Sequence, residues 1–174
     1  MRALLSVLLS AVSLFAAGEL SNRRAPGFSL PDFNLKQYDT QDYRGKILIV
    51  EIMQTTCPHC AAFSAILEEA VAKYGGRVAV LSITLPPDKI DNVKKYIATH
   101  KITVPILFDC GQAAASYLKA GPQSSGVNVP HVFLIDAHGM IRNDYEYSPL
   151  TKDIFEGRGL FAELDRMLAA AKSK

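Results

Sequence analysis

Apolar positions in this chain follow two different periods, and the switches between them mark the elements. Ile47-Leu48-Ile49-Val50-Glu51-Ile52-Met53 is apolar throughout except for one carboxylate, and it is rich in β-branched residues. A run of that length and kind predicts a buried strand. Gln54-Thr55-Thr56 is a short polar link, and Ala61 to Val71 has strongly helical composition. Tyr74-Gly75-Gly76 stops that helix. Arg77 to Thr84 predicts the next strand, broken by Pro86-Pro87. Ile90, Val93 and Ile97 recur at helical spacing, predicting a helix from about Lys89 to Thr99 with Asp88 as its cap. Ile102 to Phe108 reads as a short edge strand because it contains Pro105, and Asp109 to Ala120 as a helix. His131 to Asp136 and Ile141 to Tyr147 form a hairpin with a His138-Gly139 tip. The last helix runs from about Leu150 to Ala171, interrupted near Gly157-Arg158-Gly159.

The two ends differ. Phe28 to Lys36 alternates weakly and carries Pro31, predicting an edge hairpin, and Asp42 to Lys46 turns the chain into the long apolar strand. Ser21 to Pro26 reads as a polar linker. Met1-Arg2 precedes an uncharged apolar stretch to Phe15, then the small residues Ala16-Ala17-Gly18. That is the pattern of a secretory signal peptide, and the stretch is shorter than the roughly 20 residues of a spanning helix. The expected organisation is a signal peptide over 1–18, a linker over 19–25 and one domain over 26–174. Strands alternating with helices, then a closing hairpin and helix, define an α/β fold.

Composition narrows the function. With 49% apolar residues, 21% charged residues and a net charge of +2, the chain has no basic block, so nucleic acid is not an expected partner. Export implies an oxidising compartment, a bacterial periplasm or the exterior. Three cysteines there leave one over after any pair.

Two of them form Cys57-Pro58-His59-Cys60, between the apolar strand and a helix. Free amides and the helix dipole at that position favour a thiolate, so Cys57 is the expected nucleophile and Cys60 its resolving partner. Pro58 suits a first helical turn. A protonated His59 adds positive charge near Cys57 and makes the disulfide more oxidising. A zinc site would need two further ligands at recognisable spacing, and neither a second CxxC nor an HxxxH is present. Glu51, on a buried strand, should have a raised pKa and relay protons to or from Cys60. Cys110 reads as a small buried residue, with a third redox thiol or an intermolecular disulfide as the alternative. His100 and His138 read as solvated. His131, with Cys57, Cys60 and Met53, offers soft ligands plus imidazole, so a copper(I)-binding or delivery protein is the second reading.

Strand, short link, CxxC and helix resemble the thioredoxin superfamily, with Glu51 six residues before Cys57 where that family carries a buried carboxylate. Cys-Pro-His-Cys is similar to the active site of DsbA-type oxidants. Thr55-Thr56 stand where the family has a Trp-containing pair. Ala25-Pro26-Gly27-Phe28 through Arg44-Gly45-Lys46 resembles the N-terminal extension of the TlpA/ResA-like (AhpC/TSA-type redoxin) branch. Val129-Pro130 matches the cis-proline of the family, implying that Val129 pairs with a bound thiol substrate. The 69 residues between Cys60 and Pro130 exceed a minimal thioredoxin by about one helix-strand unit, which Lys89 to Phe108 supplies.

The resemblance implies a thioredoxin fold with an N-terminal β-hairpin extension and a central helix-strand insertion. It implies an exported protein thiol–disulfide oxidoreductase that needs no cofactor or metal, acts on protein thiols and disulfides as a monomer, and has a membrane redox partner. The peroxidase motif Pro-x-x-x-Thr-x-x-Cys is absent before Cys57 and Cys60, which excludes a peroxiredoxin reading.

Overall fold

The computed structural model describes residues 18–121, 124 and 126–172; residues 1–17 of the expected signal peptide lie outside them. The central element is β4 (Ile47–Met53), all seven residues buried. β5 (Val78–Thr84) pairs with it in parallel and β7 (His131–Ile135) antiparallel. β6 (Ile106–Phe108) extends the sheet beyond β5. β8 (Met140–Glu146) pairs with β7, and β1 (Arg23–Arg24) closes the far edge, giving the order β1-β8-β7-β4-β5-β6. β2 (Ser29–Pro31) and β3 (Gln37–Asp39) form a separate hairpin.

Alternation along β4 sends Ile47, Ile49 and Met53 into one core and Leu48, Val50 and Ile52 into the other. Glu51, in step with the first set, faces the same side. The first core is closed by α1 (Pro58–Tyr74), α2 (Ile90–His100), α4 (Lys152–Phe155) and α5 (Arg158–Lys172). The second is closed by α3 (Gln112–Leu118), with Tyr117 at its centre, and by Phe28, Leu30 and Tyr38 of the N-terminal hairpin. The interruption predicted near Gly157 is the break between α4 and α5, where Gly157 has φ 93°.

Three expectations need correction. The segment read as a linker over 19–25 is part of the domain. Arg23 and Arg24 pair with Ile141 and Met140, and Leu20 N–H and Ser21 Oγ donate to Asp144 (3.1 and 2.5 Å). A two-residue strand of arginines carries no periodic signal. Second, Asp88 does not cap α2. Lys89 occupies that position without a side-chain bond, because the Asp88 carboxylate is turned towards Thr55 and Thr84. Third, the strand expected from Ile102 shrinks to β6, which begins immediately after Pro105, and the helix expected from Asp109 begins at Gln112. There the Asp109 carboxylate accepts from Ala113 and Ala114 N–H (3.2 and 2.9 Å).

Candidate active site

The dithiol sits at the start of α1. Cys57 is its N-cap: its Sγ accepts the Cys60 N–H at 3.1 Å, one of the amides a helix start leaves free. Pro58 stands in the first turn. Both cysteines are free thiols, Cys57 half-buried and Cys60 buried. The Cys57 thiol also donates to the Val129 carbonyl at 3.6 Å, and the Val129–Pro130 peptide is cis. The loop before β7 is thereby brought against Cys57, and Pro130 is buried.

Glu51 lies on β4 under this pair and is fully buried. Ser82 Oγ, across the ladder on β5, donates to its Oε2 at 2.6 Å, while Oε1 has no hydrogen-bond partner. Burial pushes its carboxyl up to about 7, with Ser82 partly opposing. Burial, followed by the charge of Glu51, drives the Cys60 thiol far above the ordinary thiol range. A charged Glu51 thus disfavours a Cys60 thiolate.

The link before Cys57 is tied from outside. Asp88 accepts from Thr55 N–H (2.7 Å) and Thr55 Oγ1 (2.5 Å), and also from Thr84 Oγ1 (2.6 Å). Gln54 Nε2 reaches the Pro86 carbonyl (3.4 Å), and the Cys57 N–H donates to the Gln54 carbonyl (3.1 Å). Thr55, standing where a Trp-containing pair is usual in the resembled family, is therefore an anchor of the loop. His59 is exposed and stacks on Tyr147, ring centroids 4.0 Å apart and planes 21° from parallel. Tyr147 N–H in turn donates to the Pro130 carbonyl (3.1 Å). Asp88 and Tyr147 carry no local sequence signal for the site, because each joins it through a contact distant in sequence.

Two further expectations fail. His131 does not join Cys57, Cys60 and Met53. Its ring stacks on Phe133 (4.6 Å), and its Nε2 lies 3.5 Å from Asp144, on the opposite face of the sheet. The four donors of the copper reading are not brought together. Cys110 is exposed, not buried: it falls in the turn between Asp109 and α3. His100 and His138 are exposed.

Fold and dithiol together define the class, a thioredoxin-fold protein carrying the cysteine pair of a thiol–disulfide oxidoreductase. The chain belongs to the AhpC/TSA family, whose pattern matches residues 22–144. Its scaffold is of the TlpA/ResA-like redoxin kind. It is 25% identical over 141 residues to the thioredoxin-like protein YneN of Bacillus subtilis, covering 80% of this chain and 78% of that one. It is 28% identical over 119 residues to the thiol-disulfide oxidoreductase ResA of Geobacillus thermodenitrificans, covering 68% of this chain and 64% of that relative. Among solved structures, a secreted Mycobacterium tuberculosis disulfide oxidoreductase homologous to E. coli DsbE superposes with TM-score 0.60 at 18% identity, over 77% of this chain and 95% of that one.

Proposed function

We propose that this chain is an exported thiol–disulfide oxidoreductase acting on protein thiols and disulfides. The observation that carries the reading is the Cys57 sulfur, partly open to solvent, capping α1 and accepting the Cys60 N–H above the buried Glu51. In the reducing direction, the Cys57 thiolate attacks a substrate disulfide. The substrate S–S bond breaks, one substrate thiolate leaves, and a mixed disulfide with Cys57 forms. Cys60 then gives its proton to the Glu51 carboxylate and attacks the Cys57 sulfur. The Cys57–Cys60 disulfide forms as the second substrate thiolate leaves and takes up a proton. The oxidising direction is the same sequence in reverse. His59 tunes the Cys57 thiolate, Pro58 sets the first turn, and Val129-Pro130 holds the substrate chain by backbone pairing.

Export through a leader over residues 1–18 supports a periplasmic or extracellular site of action. Among the described residues no helix is long and apolar enough to cross a membrane. A membrane redox partner would supply or remove electrons. Cys57→Ser is expected to abolish exchange and Cys60→Ser to trap mixed disulfides on non-reducing gels; full exchange by the Cys57→Ser protein overturns the reading. Direction follows from equilibrating the pair with glutathione, with Cys110 replaced by serine. A potential near about −180 mV assigns an oxidant or isomerase, and one near about −270 mV a reductant.

A further inference from the structure

α2, the helix that lengthens the chain between the dithiol and Pro130, reaches the main chain of Cys60 through Tyr96 and Ser64. Tyr96 is buried, and its hydroxyl lies 2.8 Å from Ser64 Oγ. Ser64 stands one turn after Cys60 on α1, is also buried, and donates to the Cys60 carbonyl at 3.0 Å. A serine hydroxyl has a single proton. Ser64 commits its own to Cys60, so Tyr96 is the donor of the outer bond. The chain therefore runs in one sense, from Tyr96 O–H to Ser64 O–H to the Cys60 carbonyl. At the other end of the same residue, the Cys60 N–H donates to the Cys57 sulfur. The main chain of Cys60 is held from both sides, by the nucleophile and by α2.

We propose that Tyr96, acting through Ser64, is a positioning residue for the resolving cysteine, holding Cys60 against Cys57 for the second step of exchange. A serine inside a helix can rotate away from the preceding turn, and the Tyr96 bond keeps its hydroxyl on Cys60. Tyr96 is suited to this because it stays protonated while thiols titrate. Burial first, then the charges of Glu51, Cys60 and Cys57, push its phenol well above the ordinary range, against the opposing pull of Ser64.

The inference rests on the exchange reading above and separates the two half-reactions. Tyr96→Phe keeps the ring in the core and removes only the hydroxyl. It should slow resolution of a mixed disulfide about 5–10-fold, the worth of one neutral hydrogen bond expressed as a rate. The attack of Cys57 on a model peptide disulfide should be unchanged, measured by comparing Cys60→Ser with Tyr96→Phe/Cys60→Ser. Ser64→Ala should reproduce the slow resolution, and the Tyr96→Phe/Ser64→Ala protein should be no slower than either alone, since both cut one chain. Thermal unfolding identifies a variant that fails to fold, in which case the remaining variant decides. Unchanged resolution, equal slowing of both steps, or additive effects of the two substitutions overturns the proposal while the exchange reading stands. Exchange surviving in Cys57→Ser overturns that reading and this inference with it.

Discussion

Glu51 is the residue in which structure and chemistry conflict most directly. It occupies a central strand position that any aliphatic side chain would fill at lower cost, and it keeps one carboxylate oxygen without a partner. Its raised pKa has a definite consequence for stability. In the folded protein it holds its proton up to about 7, against 4.5 for the free side chain. Between those values the folded state binds more protons than the unfolded one, so stability is full below about 4.5 and falls as the pH rises through 7. The loss amounts to at most about 3 kcal/mol. Glu51→Gln, which can still accept from Ser82, should abolish that decline. Urea melts at pH 4.5 and 8 should give the variant nearly equal stabilities and the parent a clear drop. The same substitution should remove an inflection near 7 from the pH profile of the resolving step. A parent whose stability is flat across this window would mean that Glu51 ionises normally.

At the scale of elements, the site is where two strand-to-helix links meet. The β4–α1 link carries Thr55 and the β5–α2 link carries Asp88, and three hydrogen bonds accepted by the Asp88 carboxylate join them and Thr84. Asp88→Ala would leave a Thr55 N–H and two hydroxyls without their acceptor, at a cost of about 1–3 kcal/mol. It should also loosen the turn that feeds Cys57, seen as faster amide exchange at Thr55 and Thr56. Protection unchanged at those amides would show the link is held by the Gln54 contacts alone. This junction also marks the limit of what the sequence made legible. β4, α1 and the dithiol could be read because each is a local pattern: a continuous apolar run, helical composition, a cysteine pair at helix start. Glu51 could be read because it interrupts that run. Asp88 was misread because an aspartate before a helix is by local rules a cap, and only the approach of Thr55 from another link makes it a clamp. His131 was misread because its place after Pro130 says nothing of which sheet face it takes; the alternation of β7 sends it to the side away from Cys57. Tyr96 was visible neither as a stripe residue nor as a motif, since its role depends on α1 lying against α2.

For the whole molecule, the sheet separates the redox site from the segment that enters the domain. The dithiol and Glu51 face the α1 side, whereas Leu20, Ser21 and the His131–Asp144 pair lie on the other face near the β1 edge. Asp144 anchors that entry. Burial alone would raise its pKa, but the His131 imidazole beside it and hydrogen bonds from Ser21 and Leu20 outweigh burial and hold the carboxyl below its ordinary value. Arg23 adds bonds to the carbonyls of Leu20 (2.8 Å) and Tyr117. Removing residues 1–25 therefore takes away more than a tether. The loss of the two-residue strand and these bonds should lower the melting temperature by roughly 5–10 °C at neutral pH. Because a depressed carboxyl stabilises above its unfolded pKa and ceases to do so as the pH falls through the folded one, the gap between full-length and shortened protein should narrow on acidification below about 4. The Cys57–Cys60 potential should be the same in both, since the segment touches only the far face. A shortened protein with the parent's melting temperature would return residues 19–25 to the status of a linker, and one with a shifted potential would mean that the two faces of the sheet are coupled.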